Sequence, residues 1–230
     1  MIRQFRQPEL MDDPALQAED HRSALQGLAR INQVSGTAKQ IWSALRQHLK
    51  PGDEVDLLDV AAGGADVPLA VAKLAMKNDV KIRLSVCDIS ERALVWAGQR
   101  ADALEVPLRT FVIDICEEDI PISHQIVTSS LFLHHLDIDQ AQQALVRMSR
   151  AASDILLVND LDRSVTGYLA ACVASKLVTR SPIVHTDAAR SVRAAYKRQE
   201  IASIAENAGL PHVRVRRCRP FRWQLMSTSR

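Results

Sequence analysis

Three aspartates in the first half of the chain have a spacing that could build a binding site. Asp59, Asp88 and Asp114 each follow a short apolar run, and Asp59 leads into Ala-Ala-Gly-Gly-Ala at 61–65. Carboxylates accept hydrogen bonds, so Asp88 suits the two hydroxyls of a ribose and Asp114 suits an exocyclic adenine amine. Small residues ahead of a helix let backbone amides approach a ligand. The pattern favours a nucleotide-like ligand.

A histidine pair follows the next apolar run. His134 and His135 stand in Leu-Phe-Leu-His-His-Leu, shortly before Asp137. Because imidazole titrates near neutral pH, such a histidine can take the proton of a hydroxyl nucleophile. Adjacent side chains point in different directions, so we expect at most one of the pair to face a substrate. The alternative is a histidine buried in the turn or capping the helix before Asp137.

Alternating strand and helix patterns must position these side chains. Short β-rich apolar runs separated by helical patterns of 10–15 residues indicate βαβ units and a buried parallel sheet. The predicted strands cover 55–60, 82–87, 108–115, 126–132 and 155–159, and the predicted helices cover 66–78, 90–103 and 138–151. Ligands of such sheets bind beyond the carboxyl ends of the strands, which is where the aspartates and histidines fall.

The two ends of the chain depart from this alternation. Helical spacing covers 14–48, an insertion occupies 163–190, and a further helix is predicted over 191–208. Two runs at 213–217 and 221–226 flank Cys-Arg-Pro and predict a terminal hairpin. Its arginines, Arg214, Arg216 and Arg222, are predicted to project as charges that protect an edge strand.

Composition excludes several classes of protein. The 230 residues carry a net charge of +2, with 24% charged and 47% hydrophobic residues, as in ordinary globular domains. Residues 179–230 hold 11 Lys/Arg against 3 Asp/Glu, which could mark a nucleic-acid face, but 4% aromatic residues argue against base stacking. The four cysteines lie far apart, and neither a signal-type apolar segment nor a membrane span is evident. We therefore expect a cytoplasmic protein with reduced thiols.

The first aspartate and its loop resemble a motif of the class I S-adenosylmethionine-dependent methyltransferases. That family's first motif is Asp/Glu-x-Gly-x-Gly-x-Gly, and it is matched here as Asp59-x-Ala61-x-Gly63-x-Ala65. Alanine replaces glycine at two positions, which leaves open whether a methyl group crowds the ligand or φ is negative there. The Leu-Phe-Leu-His-His-Leu stretch is similar to the motif after the fourth strand in quinone-biosynthesis methyltransferases of the small-molecule type.

The resemblance implies S-adenosyl-L-methionine as cofactor and S-adenosylhomocysteine as product. The implied cofactor-binding residues are Arg30, Asp59, Ala61, Gly63, Asp88, Ile89, Asp114, Ile115 and Ser130. Asp88 matches the ribose-binding acid and Asp114 the residue that faces adenine. Ile89 and Ile115 would wall the adenine, and Arg30, or else Asn32, would reach the cofactor's carboxylate.

The resemblance also implies a fold and its division into domains. The expected architecture is α/β, a Rossmann-like doubly wound sheet of seven strands in the order 3-2-1-4-5-7-6, with strand 7 antiparallel. Residues 1–50 would form an N-terminal helical lid, and 51–230 the methyltransferase domain. The insertion at about 163–190 would be a substrate lid above the fifth strand.

The implied activity is methyl transfer to a hydroxyl, or an activated carbon, of a small apolar, aromatic or polyketide-like metabolite of secondary metabolism. His134 and His135 are the candidate catalytic residues. A catechol-type metal site would need carboxylates after both the fourth and fifth strands, and Ser129 and Ser130 replace the first of these. We therefore predict no metal.

Other functions stay open at this point. The basic C-terminal region allows an RNA methyltransferase, although nucleic acid is the weaker expectation. The two alanines in the motif allow a non-catalytic methyltransferase-like binding module. An NAD(P)-dependent oxidoreductase ranks lower, because the Gly-x-Gly-x-x-Gly pattern is missing. Besides a small apolar substrate, a homodimer is a further partner to test.

Overall fold

Seven strands form one sheet in the order β3-β2-β1-β4-β5-β7-β6 in the computed structural model, which describes residues 2–13 and 15–229. The elements are α1 Ala18–Ser35, α2 Thr37–Leu45, β1 Glu54–Val60, α3 Asp66–Met76, β2 Lys81–Asp88, α4 Glu91–Ala103, β3 Leu108–Val112, β4 His124–Ser130, α5 Ile138–Ala151, β5 Ala152–Leu161, α6 Val165–Val178, α7 Pro182–Ala194, α8 Arg198–Asn207, β6 Arg214–Cys218 and β7 Arg222–Thr228. Short 3-10 turns cover Leu10–Asp12 and Leu133–His135. The strand order confirms the prediction.

The direction of each strand also matches the expected architecture. Strands β1 to β5 run parallel, whereas β7 runs antiparallel to both β5 and β6. The central strands are buried along most of their length, because apolar side chains pack against helices on both faces of the sheet. The strand order reverses between β1 and β4, so the ligand-binding crevice is expected at their carboxyl ends.

Two apolar cores lie on opposite faces of the sheet. One contains residues of α2, α3 and α4, including Trp42, Leu45 and Leu69. The other contains residues of α5 and α8 with Tyr196 and Trp223. Helix α2 is thus part of the layer that covers the sheet, so only the residues ahead of it can serve as the lid predicted for 1–50.

The N-terminal segment docks on α7, far along the chain. The backbone amide of Phe5 donates to the carbonyl of Arg193 (3.1 Å), and the amides of Leu10 and Met11 donate to the carboxylate of Asp187 (2.8 and 3.1 Å). Burial raises the pKa of Asp187 to about 6. The start of the chain and the insertion after β5 therefore meet above the carboxyl ends of the strands.

The bounds of some predicted elements were wrong. The third strand ends at Val112 rather than at 115, and the fourth ends at Ser130 rather than at 132. The insertion predicted at 163–190 contains α6 and the larger part of α7. The single helix predicted over 191–208 is broken between α7 and α8, because Tyr196 turns into the core. Its hydroxyl donates to the carbonyl of Leu136 (2.9 Å), and its carbonyl accepts from Nε1 of Trp223 (3.1 Å).

The terminal hairpin is confirmed, but Arg222, at the start of its inner strand β7, does not project outward. Arg222 is 3% exposed and donates to Oδ1 of Asn159 (3.4 Å) and Oγ of Ser35 (3.0 Å). Arg216 instead lies on the outer strand and donates to Gln224 (2.9 Å).

Within the described residues, none of the helices combines the length and apolarity needed to cross a bilayer.

Candidate functional site

A cavity of about 510 Å³ opens at the carboxyl edge of the sheet, a volume typical of small-molecule sites. We call it the carboxyl-edge cavity. The predicted site residues on its wall are Ala61, Gly63, Asp88, Ile89, Asp114, Ile115, Ser130, His134 and His135. Asp59 lies beneath this wall, and Arg30 is exposed on α1 away from it. Nine of the eleven predicted site residues therefore share one cavity.

A second concavity of about 760 Å³ lies at the opposite, amino edge of the sheet. Its wall carries paired surface charges, with Arg83 bridging Glu54 (2.8 Å) and Asp56 (2.6 Å). Because parallel sheets bind ligands at their carboxyl edge, and the predicted site residues lie there, the smaller cavity is the candidate functional site.

Asp88 is placed at the end of β2, where its carboxylate holds the loop after β1. Oδ2 accepts from the amide of Gly63 (2.7 Å), and Oδ1 accepts from the amide of Ser90 (2.9 Å). Ser90 itself caps α4 by accepting from Ala93 (3.2 Å). Burial raises the pKa of Asp88, although the two backbone amides oppose that rise. A carboxylate has about four acceptor positions, so two are left to face the cavity.

The loop between β1 and α3 adopts a left-handed conformation at alternate residues. φ is +54° at Ala61, +51° at Gly63 and +54° at Ala65. The possibility of negative φ at the two alanines is therefore wrong, and each pays the cost of a left-handed L-residue, roughly 1–2 kcal/mol. At Gly64, which also lines the cavity, a Cβ would lie 3.0 Å from the Trp96 ring, so a larger residue there would press on that ring.

Asp59 lies beneath the loop with one carboxylate oxygen unpaired. Oδ1 accepts from the hydroxyl of Thr128 (2.5 Å), whereas Oδ2 is buried without a hydrogen-bond partner among the described residues. Burial raises the pKa of Asp59 to about 7. A buried unpaired oxygen is costly, so it marks a place where a positively charged or donor group of a ligand would be favourable.

Asp114 follows β3 and lines the same cavity. Its Oδ1 accepts from the amide of Cys116 (2.9 Å), which fixes a tight turn. Ile113 and Ile115 beside it are buried, while Ile89 is 66% exposed on the cavity rim. These side chains can form an apolar slot whose polar edge is the Asp114 carboxylate.

The charged group expected near the cofactor's carboxylate is not Arg30. Asn32, two residues further along α1, lines the cavity and donates from Nδ2 to Oδ2 of Asp66 (3.1 Å). Its Oδ1 is buried and lacks a partner among residues 2–13 and 15–229. Asp66 lies within the first turn of α3 on the cavity wall, where burial raises its pKa.

Arg222 is a buried cation that the sequence analysis did not place at the site. It lines the cavity at the start of β7, and burial lowers its pKa to about 10, so it stays charged at neutral pH. The sequence analysis did not identify Arg222 as a cavity residue, because it is distant in sequence from every motif and lies in a hairpin with outward-facing arginines. Only the antiparallel pairing of Arg222 with Leu161 brings it to the carboxyl edge.

His134 lies fully buried between two carboxylates. Its Nδ1 is 2.8 Å from Oδ1 of Asp160, and its Nε2 is 3.5 Å from Oε1 of Glu9. Burial disfavours the charged ring, but Asp160 and Glu9 outweigh it and raise the pKa of His134 to about 10. The pKa of Asp160 is lowered: burial opposes ionisation, but the charge of His134 overcomes it. A ring that holds its proton this firmly is a poor base at neutral pH.

His135 faces the same cavity, which contradicts the expectation that the two rings point apart. The ring centroids are 4.3 Å apart, because the 3-10 turn stacks adjacent side chains at a tilt of 32°. The side chain is 27% exposed, with Nδ1 3.2 Å from Oδ2 of Asp12 and Nε2 4.0 Å from Oε2 of Glu9. Of the two, His135 is better placed to accept a substrate proton.

Glu9 is a site residue that the sequence analysis missed. It is 7% exposed and also accepts a hydrogen bond from the hydroxyl of Ser191 on α7. Burial opposes its ionisation, but the hydrogen bond from His134 and the two histidine charges lower the pKa of Glu9 to about 2. No local pattern marks Glu9, because its position depends on the docking of the N-terminal segment against α7.

Comparison with solved structures identifies the fold. An O-methyltransferase family 2 protein from Planctomyces limnophilus DSM 3776, in complex with apigenin, superimposes with a TM-score of 0.63 at 17% identity, covering 95% of this chain and 63% of that one. A magnesium protoporphyrin IX methyltransferase from Synechocystis PCC 6803 with bound SAH gives 0.58 at 14% identity, covering 95% and 90%. A SAM dependent methyltransferase from Aquifex aeolicus gives 0.57 at 17% identity, covering 80% and 87%.

These likenesses show the fold that the resemblance implied. This chain spans less than two thirds of the length of the Planctomyces limnophilus protein. No family model matches the sequence, and no curated protein matches it either. The Rossmann-like architecture of the methyltransferases is thus shown by structure rather than by sequence.

Proposed function

We propose that this chain is an S-adenosylmethionine-dependent methyltransferase that acts on a hydroxyl, or an activated carbon, of a small apolar metabolite. The observation that carries the proposal is the placement of the left-handed loop and Asp88 around one cavity, with Asp59 directly beneath its wall, at the switch point of a methyltransferase fold. The histidine cluster at the other end of the same cavity supplies groups for an acceptor.

The residues present fit this cofactor at three places. The unpaired Oδ2 of Asp59 suits the positively charged amino group of the methionine moiety, and the two free acceptor positions of Asp88 suit a ribose diol. Asp114 and Ile115 suit the amine edge and the face of an adenine. We assign the cofactor's carboxylate to Arg222 in place of Arg30. The unpaired Oδ1 of Asn32 suits a donor group such as the cofactor's amino group.

When bound, S-adenosylmethionine supplies a methyl group from its sulfonium to a nucleophilic oxygen or carbon and leaves as S-adenosylhomocysteine. The contribution of the chain is to bring acceptor and donor together in one orientation, and this can account for several kcal/mol of the barrier. His135 would accept or relay the proton of the acceptor. His134, held between Asp160 and Glu9, would fix the position of Glu9 beside His135.

The apolar wall supports a small, largely apolar acceptor. The side chains that form it come from the N-terminal segment, α1, the β4–α5 turn, α6 and α7: Met11, Leu25, Leu28, Ile31, Phe132, Ala171 and Val192. Because these elements are the predicted lid and insertion, we propose that 163–190 and the residues ahead of α2 enclose the acceptor. An aromatic or polyketide-like metabolite has the matching chemistry.

Calorimetric titration of S-adenosylhomocysteine tests the proposal. We expect micromolar binding to the wild type and a loss of at least about 100-fold in Asp88→Ala, because two hydrogen bonds to a charged carboxylate are removed. Asp102→Ala, at an exposed position of α4, is the matched control and should bind like the wild type. Asp88→Asn, which keeps the shape of the side chain, should fall between the two.

A folded wild type that does not bind S-adenosylhomocysteine would overturn the proposal and favour a non-catalytic binding module. Where binding is found, phenolic and polyketide-like compounds are the first acceptors to assay. A methylated product identified by mass spectrometry would establish whether oxygen or carbon is modified.

Two further expectations belong with this proposal. A cytoplasmic location agrees with four free cysteines. A homodimer has a plausible contact surface on α6, where Val165, Leu169, Val173 and Leu177 recur every four residues and are 49–81% exposed. Light scattering of the purified protein would distinguish a monomer of 25.5 kDa from a dimer of twice that mass.

A further inference from the structure

We propose that Glu9, His134 and His135 bind a divalent transition-metal ion of the zinc class at the acceptor end of the carboxyl-edge cavity. This departs from the metal-free site predicted from the sequence. The inference deepens the proposed function because it concerns the same cavity, where a bound ion would polarise the acceptor's hydroxyl in place of His135 acting as the base. It does not depend on the cofactor. Metal binding and S-adenosylhomocysteine binding can therefore be measured separately.

The three side chains place their ligand atoms close enough to share one ion. One ligand atom from each lies within 4.8 Å of the other two. Nε2 of His134 is 3.5 Å from Oε1 of Glu9, and Nε2 of His135 is 4.0 Å from Oε2. Tetrahedral ligands at zinc distances of about 2.0–2.2 Å lie roughly 3.4 Å apart, so the site needs only a small contraction.

The opposite nitrogen of each ring is anchored on a second carboxylate. Nδ1 of His134 is 2.8 Å from Asp160, and Nδ1 of His135 is 3.2 Å from Asp12. Histidines that bind a metal through one nitrogen commonly hold the other in this way, which fixes the ring orientation and raises ligand basicity. The same arrangement occurs here in both histidines, and the Nε2 atom of each ring points to Glu9.

Glu9 is fixed in place by elements far from it in sequence. Ser191 of α7 donates to its carboxylate, and Asp187, one turn earlier, holds the amides of Leu10 and Met11. Glu9 is buried despite its charge, and buried charges are normally paired or bound to a metal. With Asp160 and Asp12 it brings three carboxylates around two imidazoles, and a divalent cation would take the place of the two imidazole protons that otherwise balance them.

The donor set indicates which ion and what it leaves open. Two imidazole nitrogens and one carboxylate suit zinc and the neighbouring first-row ions, whereas magnesium and calcium prefer oxygen ligands alone. Three protein ligands leave a coordination position free, as in catalytic rather than structural zinc sites. All three side chains line the cavity, so this position would face an oxygen atom of water or of the acceptor.

Titration of the untagged, EDTA-treated and dialysed protein with zinc chloride tests the inference. Calorimetry should show one equivalent bound with a dissociation constant in the micromolar range or below. We expect His135→Ala and Glu9→Gln to weaken zinc binding by at least about 30-fold, and Asp12→Asn by about 10-fold through loss of the outer carboxylate. His48→Ala, an exposed histidine outside the cavity, should leave the affinity unchanged.

Stability measurements keep the test decisive. His135 is partly exposed, so its alanine variant should retain the wild-type circular dichroism spectrum even if Glu9→Gln does not fold. Less than about 0.2 equivalents bound to the wild type, or equal affinities in the wild type and His135→Ala, would overturn the proposal. Either result would identify the cluster as an ion-pair network without metal.

Titration of S-adenosylhomocysteine in the presence of EDTA separates this proposal from the proposed function. Zinc binding without S-adenosylhomocysteine binding would support the metal site and count against methyl transfer. The reverse result would support methyl transfer with a metal-free acceptor site.

Discussion

The two ends of the carboxyl-edge cavity are built in different ways. At the cofactor end, Asp88 and Asp114 follow consecutive parallel strands, and each is fixed by backbone amides within a few residues of a strand end. At the histidine end, the cluster joins Glu9 from the N-terminal segment, the turn after β4 and Asp160 from β5. One end is determined by local strand–loop–helix geometry, and the other by long-range docking.

This difference has an energetic consequence. At the cofactor end, burial raises the pKa of Asp59, Asp66 and Asp88, because the hydrogen bonds to these carboxylates do not offset the loss of water around them. At the histidine end, the carboxylates of Glu9 and Asp160 have lowered pKa values, because imidazole compensates them. Substitutions should therefore affect mainly binding at the first end and mainly stability at the second.

The largest expected effect is at Asp160. Asp160→Ala removes the buried partner of His134 and the acceptor for the amides of His134 and Leu161, so unfolding free energy should fall by about 3–5 kcal/mol. Urea denaturation measures this loss. Asp139→Ala, an exposed position in the first turn of α5, should cost less than about 1 kcal/mol. Equal losses in the two variants would mean that the histidine end contributes no special stability.

Arg222 provides the opposite case, in which binding should change more than stability. Arg222→Met keeps much of the buried volume, and replacement of a buried charge by an apolar side chain is often neutral for folding. We expect S-adenosylhomocysteine affinity to fall by about 10–100-fold, the equivalent of one hydrogen bond to a charged group. Calorimetry and urea denaturation of the same variant measure both quantities, and Arg216→Met on the outer strand should change neither strongly. Unchanged affinity would remove Arg222 from the cofactor site.

Asp59 should make stability depend on pH. Its pKa is near 3.8 when unfolded and about 7 when folded, so the stabilising proton is fully present below pH 3.8 and is lost as the pH rises through 7. Asp59→Asn has no such proton to lose. The melting temperature of this variant minus that of the wild type should therefore rise between pH 4 and 7 and stay level above pH 7. Thermal denaturation of both ligand-free proteins from pH 5 to 8 checks this. A difference independent of pH would mean that Asp59 is ionised throughout.

The smallest expected effect concerns the left-handed alanines. Ala61→Gly relieves the strain of φ +54°, but glycine also makes the unfolded chain more flexible, which costs about 0.5–1 kcal/mol of stability. The free energy of unfolding should therefore stay within about 1 kcal/mol of the wild-type value. S-adenosylhomocysteine affinity should rise slightly, since a methyl group leaves the cavity wall. Ala62→Gly, next to it but without positive φ, should only destabilise. If Ala61→Gly destabilised as much as Ala62→Gly, the strain would be negligible.

Several residues of the site could be predicted because their positions follow from strand ends alone. A parallel sheet collects the carboxyl ends of its strands at one edge, so Asp88, Asp114 and His134 had to lie near one another once the strands were assigned. Arg30 lies outside the cavity, and the sequence did not show this because helical spacing does not tell which face of α1 meets the cavity. The prediction that Arg222 projects outward was wrong, because an arginine in an edge hairpin has the same sequence pattern whether it points outward or inward.

The sequence by itself determined the alternation of strands and helices, the strand order through its resemblance to a known fold, and the carboxylates of the cofactor end. These depend on periodicity and on residues within one turn of a strand end, which are local properties. Only the tertiary structure decided that Glu9 meets both histidines, that Arg222 is buried, and that the two rings stack toward one glutamate. These contacts join segments that are far apart in the sequence, from 63 residues for Arg222 and Asn159 to 187 for Arg222 and Ser35, and no short-range pattern encodes how such segments dock.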